Sequence, residues 1–385
     1  MSLRQLAVRT ALALTLPFAA FADPGVSADK VTFGQVAAFE GPASALGTGM
    51  RTGIEIAFAE ANGAGGVHGR SLALVTADDG YEPNASAAAV SAMLSSGSIF
   101  GLIGPVGTPT SAATQPLATT AGVPFVGPFT GAGFLRNPEF GNVVNLRASY
   151  GAETETWIAH LVDQEKMTKI AILYQDDAFG RAGLDGVNKA LEKRGMTLIA
   201  EGTFTRNTVA VKSALLEIRK AEPEAVVMVG PYKPMAEFIK LSRKLKFDPT
   251  FVNISFVGSK ALAEELGPDG DGVIVSQVVP SPWDAGVPVV ARYQAALAAH
   301  APGQEPDFVS LEGYLTGLMA IAALEAAGAE PTRAGFLAAV QAMAAHDLGG
   351  VTLSFGPGDN QGLDAVFLTR IDASGSFATV KGPGA

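Results

Sequence analysis

The chain has 385 residues, of which 48% are hydrophobic and 17% charged, a balance that builds a sizeable core and excludes a disordered chain. It contains no cysteine, which excludes a disulfide scaffold, a cysteine nucleophile, a Cys-based zinc site, an iron–sulfur cluster and a lipid anchor on an N-terminal Cys. The formal net charge is −10 and no long basic run offsets it, so nucleic acid is not an expected partner.

The first 22 residues read as an address. Arg4 and Arg9 form a positive start, Ala11 to Phe18 is apolar but too short to span a bilayer, and Ala20-Phe21-Ala22 fits a small-x-small cleavage rule. A secretory signal peptide cut after Ala22 is expected, with Asp23 as the first mature residue. No later apolar run is read as reaching membrane length, and the composition, rich in Ala and Gly, suggests a bacterial periplasm.

Beyond Asp23 short β-branched runs alternate with amphipathic stretches. Strands are expected at Val31–Ala38, Leu72–Ala77, Phe100–Ile103, Val123–Val126 and Val143–Leu146, with helices at Thr48–Ala61 and Asn84–Ser95. Asn62-Gly63 is a helix-stop signal. The pattern then restarts. Strands at Lys169–Tyr174, Leu198–Phe204, Ala225–Val229, Phe251–Ile254 and Val273–Val279 enclose helices at Gly180–Arg194, Val209–Lys220 and Lys233–Leu245. Helices follow at Val289–His300, Leu311–Ala327 and Arg333–Ala345, then strands near Val351–Phe355 and Ala365–Ile371.

This alternation predicts an α/β fold of parallel sheets covered on both faces. Its length predicts two doubly wound, Rossmann-like lobes. No linker separates them, so the chain is expected to cross a hinge near Arg147, near Ser276–Pro280 and near Gly349. The N-terminal lobe would hold residues 23–147 and 277–349, and the C-terminal lobe 148–276 and 350–385.

Ligands of such sheets bind beyond the carboxyl ends of the strands. There Gly41-Pro42, Gly104-Pro105, Gly127-Pro128 and Gly230-Pro231 recur as tight bends. The loop from Gly104 leads into a helix, where backbone N–H groups and the hydroxyls of Thr108 and Thr110 would receive a carboxylate or cap the helix. The loop Gly127 to Gly133 would add donors. No Walker lysine follows either loop. Gly63 to Gly69 follows a helix and reads as a turn. The four histidines have no metal spacing, and no GxSxG elbow occurs. Asp78-Asp79 and Asp176-Asp177 read as carboxylates that tie loops rather than catalyse. No catalytic residue, metal site or cofactor is expected.

The blocks VTFGQVAAFEGPASALG, GIEIAFAEANGAGGVHGR, DDGYEP, GLIGPVGTPTSAATQPLATTAGVPFVGP and ILYQDDAFGRAG, in that order, resemble the periplasmic binding proteins of the leucine/isoleucine/valine type, which serve ABC importers. The resemblance spans nearly the whole mature chain. It implies a cleft between two lobes that closes on a small ligand, a monomer, and docking on a permease of the inner membrane. The carboxylate-binding hydroxyl falls on Thr108. The next contacts fall on Phe129 and Gly131, with Thr130 between them. Aromatic positions of the second lobe fall on Phe179 and Tyr232, and a side-chain pocket position on Leu46.

Three departures stand out. The glutamate that pairs a ligand ammonium in such proteins falls on Ser255, and Asp177 or Glu312 are the substitutes in view. A second hydroxyl is replaced by Gly131. A disulfide that some members carry falls on Tyr81 and Gly107. The expectation is a non-enzymatic receptor for a branched-chain or hydrophobic amino acid. The alternatives are a receptor for an aromatic or aliphatic carboxylate or an amide, which would suit Ser255, and a sensory binding protein.

Overall fold

The computed structural model describes residues 23–380. The export signal and its cleavage point lie outside the described residues. In chain order the first half forms β1 (Lys30–Ala37), α1 (Ser44–Gly63), β2 (Ser71–Asp78), α2 (Pro83–Ser96), β3 (Gly101–Ile103), α3 (Thr108–Thr120), β4 (Phe125–Val126) and β5 (Val143–Val144). The chain crosses over and continues as α4 (Tyr150–Ile158), a π-helical turn over Ala159–Gln164, β6 (Ile170–Gln175), α5 (Ala178–Glu192), β7 (Ala200–Phe204) and α6 (Lys212–Lys220). There follow β8 (Ala225–Val229), α7 (Tyr232–Lys244), β9 (Thr250–Asn253), α8 (Ser259–Leu266) and β10 (Ile274–Gln277). It returns for α9 (Pro288–His300), α10 (Phe308–Ala327), α11 (Arg333–Gln341) and the short pair β11 (His346–Asp347) and β12 (Thr352–Leu353). The chain then crosses again to form β13 (Phe367–Ile371) and β14 (Phe377–Thr379).

The first sheet has the order β2-β1-β3-β4-β5, and the second β14-β13-β10-β9-β8-β6-β7. Strands β1 to β5 are all parallel. In the second sheet β13 runs antiparallel to β10, and β14 antiparallel to β13. The expectation of parallel sheets therefore holds for the first lobe and fails at one edge of the second. Without that edge, each sheet winds in the same order, 2-1-3-4-5 in its own numbering. Such an order reverses direction beside its first strand, and the strand-end loops splay apart at that point. For the first lobe these are the loops after β1 and β3, and for the second those after β6 and β8.

The third crossing lies later than Gly349. Val351, Leu353 and Phe355 are buried with the first lobe's core, and Gln361 pairs with Asn145 next to β5. Residues 350–362 thus stay with the first lobe because their apolar side chains are buried there. Helix α10 also departs from expectation. It is long and apolar enough to cross a membrane, yet almost all of it is buried within the protein. It packs along α1, where Gly53 and Gly313 let the two backbones approach. Its apolar surface is that of a core helix. Helices α4 and α8 and strand β14 had no counterpart in the sequence reading.

Candidate functional site

The strand-end loops of the two lobes face each other and meet. After β3 and β4 the backbone runs as two parallel tracks, with Phe129 N–H donating to Pro105 O at 2.8 Å and Gly107 N–H to Phe129 O at 3.2 Å. This brings the hydroxyls of Thr108 and Thr130 to 2.7 Å at the first turn of α3. Both threonines are buried. Thr108 does not cap the helix. Thr110 turns its hydroxyl back to the carbonyls of Val106 and Gly107, so it offers nothing to the cleft, contrary to expectation.

Gly131 has a packing reason to lack a side chain. A Cβ there would sit 2.5 Å from Tyr150 Cδ1 and 2.6 Å from Tyr150 N, closer than atoms approach. The Tyr150 ring takes the space where a threonine would stand. Its hydroxyl is buried, and burial pushes it up to about 12. At the positions that resemble a disulfide pair, the Tyr81 ring lies directly on Gly107, whose φ of +105° suits glycine.

From the second lobe, Phe179 follows Asp177, whose carboxylate caps α5 by accepting from Phe179 N–H at 2.9 Å. Tyr232 opens α7 and lies across from Leu46 of α1, its hydroxyl 3.4 Å from Ala45 N–H. Leu46 itself lies over Gly258. Between these flanks stands Phe256, a residue the sequence reading did not select. Its ring is 4.6 Å from Phe179, 5.3 Å from Phe129 and 5.9 Å from Tyr81. Phe179 in turn meets Tyr150 at 5.5 Å. Leu46, Phe129, Phe179, Tyr232 and Phe256 belong to one continuous buried cluster. The lobes are thus closed on each other. A cavity of about 180 Å³ opens on the outer edge by Leu46, Gly258 and Val309. The space beside Phe129, Arg147, Ser255 and Gln277 is only about 10 Å³, roughly one water.

Behind this space lies a group of buried charges at the hinge. Arg147 donates through Nε and Nη2 to Glu312, both at 2.7 Å, and stacks over Phe129 at 4.3 Å. Burial opposes the Arg147 charge, but the Glu312 carboxylate outweighs it and holds the guanidinium above its ordinary range. Nη1 of Arg147 has no partner among the described residues. Arg136 donates to the carbonyls of Thr130, Ala132, Arg147 and Ala148 and to Gln361 of the third crossing. Burial, then the neighbouring Arg147, lowers it to about 10.

Glu153 of α4 is fully buried. It accepts from Ser255 N–H and Ser255 Oγ, each at 2.9 Å, and from Ser276 Oγ at the second crossing. A carboxylate therefore stands next to Ser255 after all. The proposed substitutes are engaged elsewhere, Glu312 with Arg147, and Asp177 with Phe179, Gln175 and Arg206. Sequence reasoning missed Glu153 because it missed α4. The signal was Ser149, whose side chain caps that helix.

The cleft mouth is tied by polar contacts. Arg206 of the second lobe bridges Glu82 of the first at 2.7 Å and Asp177 at 3.0 Å. Asn207 donates to Gly80 O at 2.9 Å and Glu82 at 2.7 Å. Of the strand-exit aspartates, Asp78, Asp79 and Asp177 tie loops as expected, whereas Asp176 forms an exposed ion pair with Arg181. Asp78 accepts from Phe39 and Glu40 N–H, and Asp79 from Tyr81 N–H and Ser86.

Comparison with known proteins agrees with this architecture. The profile of the periplasmic binding protein family matches residues 30–376. A Leu/Ile/Val-binding protein homolog 3 from Brucella melitensis biotype 1 is 28% identical over 237 residues, 61% of each chain. A Leu/Ile/Val-binding protein homolog 7 from Brucella abortus is 23% identical, with 58% of its length matched. The chain thus spans about three-fifths of the length of these curated relatives. A crystal structure of a possible leucine/isoleucine/valine-binding protein from Rhodopirellula baltica SH 1 superposes with a TM-score of 0.87 at 34% identity, covering 92% of this chain and 97% of that one. A leucine-binding protein from Thermotoga maritima, 18% identical with a TM-score of 0.80 over 91% of this chain and 97% of its own, shares the fold. With the family profile matched over nearly all the described residues, the chain belongs to the periplasmic binding protein family.

Proposed function

We propose that this protein is a periplasmic solute receptor, not an enzyme, that binds a small hydrophobic amino acid between its lobes and presents the closed form to the permease of an ABC importer. The observation that carries this reading is the meeting of the strand-end loops of both lobes around one aromatic cluster, with the Thr108–Thr130 hydroxyl pair at its first-lobe wall. The hydroxyls and the start of α3 suit a ligand carboxylate. Leu46, Phe129, Phe179 and Tyr232 suit an apolar side chain, and Ser255 and the Gly131 backbone complete the wall. The Leu/Ile/Val-binding names of the Brucella relatives support the same ligand class. The protein is expected to act as a monomer, with a leader cleaved after Ala22.

Native mass spectrometry of the purified protein should show a co-purified small molecule. Thermal unfolding with a panel of amino acids, amides and organic acids should single out one class, since a ligand at 100 times its Kd adds about 2.7 kcal/mol. A panel with no response in any class overturns the reading.

The mouth contacts give a second test. Arg206→Ala removes an ion pair that is partly exposed, worth up to about 1 kcal/mol, and shifts the lobes toward opening. Ligand affinity should fall roughly twofold to fivefold, and the radius of gyration from small-angle X-ray scattering should rise. Unchanged affinity and radius would show that the bridge plays no part in closure.

A further inference from the structure

Glu153 is fully buried and, unlike Glu312 and Asp177, has no direct cationic partner among the described residues. Its hydrogen bonds come from neutral groups, the amide and hydroxyl of Ser255 and the hydroxyl of Ser276. The two guanidinium groups nearby bond elsewhere, Arg147 through Nε and Nη2 to Glu312 and Arg136 to main-chain carbonyls and Gln361. Burial pushes the Glu153 carboxyl up, opposed by the Arg147 charge and by these hydrogen bonds. A carboxylate so placed gains from any positive group that reaches it.

Ser255 is the route by which one can. Its hydroxyl proton is directed at Glu153 Oε1, which leaves the lone pairs of Oγ as acceptors. The same serine lines the small interlobe space with Phe129 and Gln277. Chains of hydrogen bonds polarise one another, so Oγ presents part of the Glu153 charge to that space. Arg147 lines it too, but Glu312 neutralises it.

We propose that Glu153, acting through Ser255, pairs with a protonated amine of the ligand and so selects a zwitterionic amino acid over the same acid without its amine. The inference rests on the receptor reading above. The charge balance favours it. Arg136 and Arg147 are matched by Glu153 and Glu312. A zwitterion keeps that region neutral, whereas a bare carboxylate adds an unbalanced charge where water is excluded. Glu153 is then a positioning residue that sets specificity, and Ser255 carries the contact.

The test uses the full mature protein, L-leucine and 4-methylpentanoate, which is leucine without its amine. Calorimetry should show leucine bound at least about tenfold more tightly, the worth of a hydrogen bond to a charged group. In Glu153→Gln the preference should fall by about tenfold through weaker leucine binding, with 4-methylpentanoate unchanged or tighter. Ser255→Ala, which leaves Glu153 in place, should lower the same ratio and decides the matter if Glu153→Gln does not fold. A purely structural role would weaken both ligands alike. An unchanged ratio in the folded variants, or equal loss for both ligands, overturns the assignment of Glu153. If neither probe binds the unaltered protein, the hydrophobic amino-acid reading itself is overturned and this inference falls with it.

Discussion

Glu312→Gln is expected to cost the folded protein roughly 3–5 kcal/mol, the usual loss when one partner of a buried ion pair is removed. The Arg147 side chain is 1% exposed and that of Glu312 3%, so water does not take over the lost contact. A carboxylate accepts from both Nε and Nη2 of Arg147. A glutamine offers one oxygen and turns donors toward donors with the other end. The stranded charge would sit beside Arg136, which burial already holds down at about 10. Urea unfolding followed by circular dichroism measures the loss, and a change under about 1 kcal/mol would show that Glu312 does not stabilise Arg147. The double variant Arg147→Met with Glu312→Leu should recover much of it, because apolar side chains of similar volume replace a buried pair at little cost.

Gly131→Thr is the second large effect. In the family resemblance this substitution restores a ligand hydroxyl, and on that ground alone it should help. The structure predicts the reverse. The new Cβ would press on the Tyr150 ring and on the Tyr150 backbone nitrogen, which donates to Gly131 O at 2.7 Å. Rotating the tyrosine side chain relieves only the first clash, so the backbone itself must move. Overpacking of this kind costs roughly 1–3 kcal/mol, and it displaces the loop that carries Thr130. A lower melting temperature together with a loss of ligand response in calorimetry is expected. A variant as stable as the parent, binding as tightly, would show that the loop yields more easily than its contacts imply.

Much of the scaffold was legible because its strands are continuous apolar runs buried on both faces, as in Ala225–Val229, where every residue is buried. Helices with one clear apolar stripe, such as α7, were legible for the same reason. Helix α4 was not, because its buried face includes the polar Glu153 and Thr154 with Tyr150 and Trp157. A pattern of hydrophobic spacing does not register a buried carboxylate. The third crossing was misplaced because Val351, Leu353 and Phe355 look alike whichever core receives them. Among the proposed site residues, sequence singled out Leu46, Phe129, Phe179 and Tyr232, which the fold gathers into one buried cluster. It did not show what stands behind them, since the pairing of Ser255 with Glu153 spans 102 residues and leaves no local signal. Nor did it mark Phe256, an apolar residue among apolar neighbours.

Phe256 has one more consequence under the receptor reading. Its ring packs at a tilt between Phe129 and Phe179, where an apolar ligand side chain would be held. Under that reading it would act as an internal competitor for the same place. Every ligand is measured against it, and the observed Kd is the intrinsic value divided by the fraction of receptors in which the ring is unseated. Such a competitor sets a threshold, since solutes that grip the cleft less well than the ring does leave it in place.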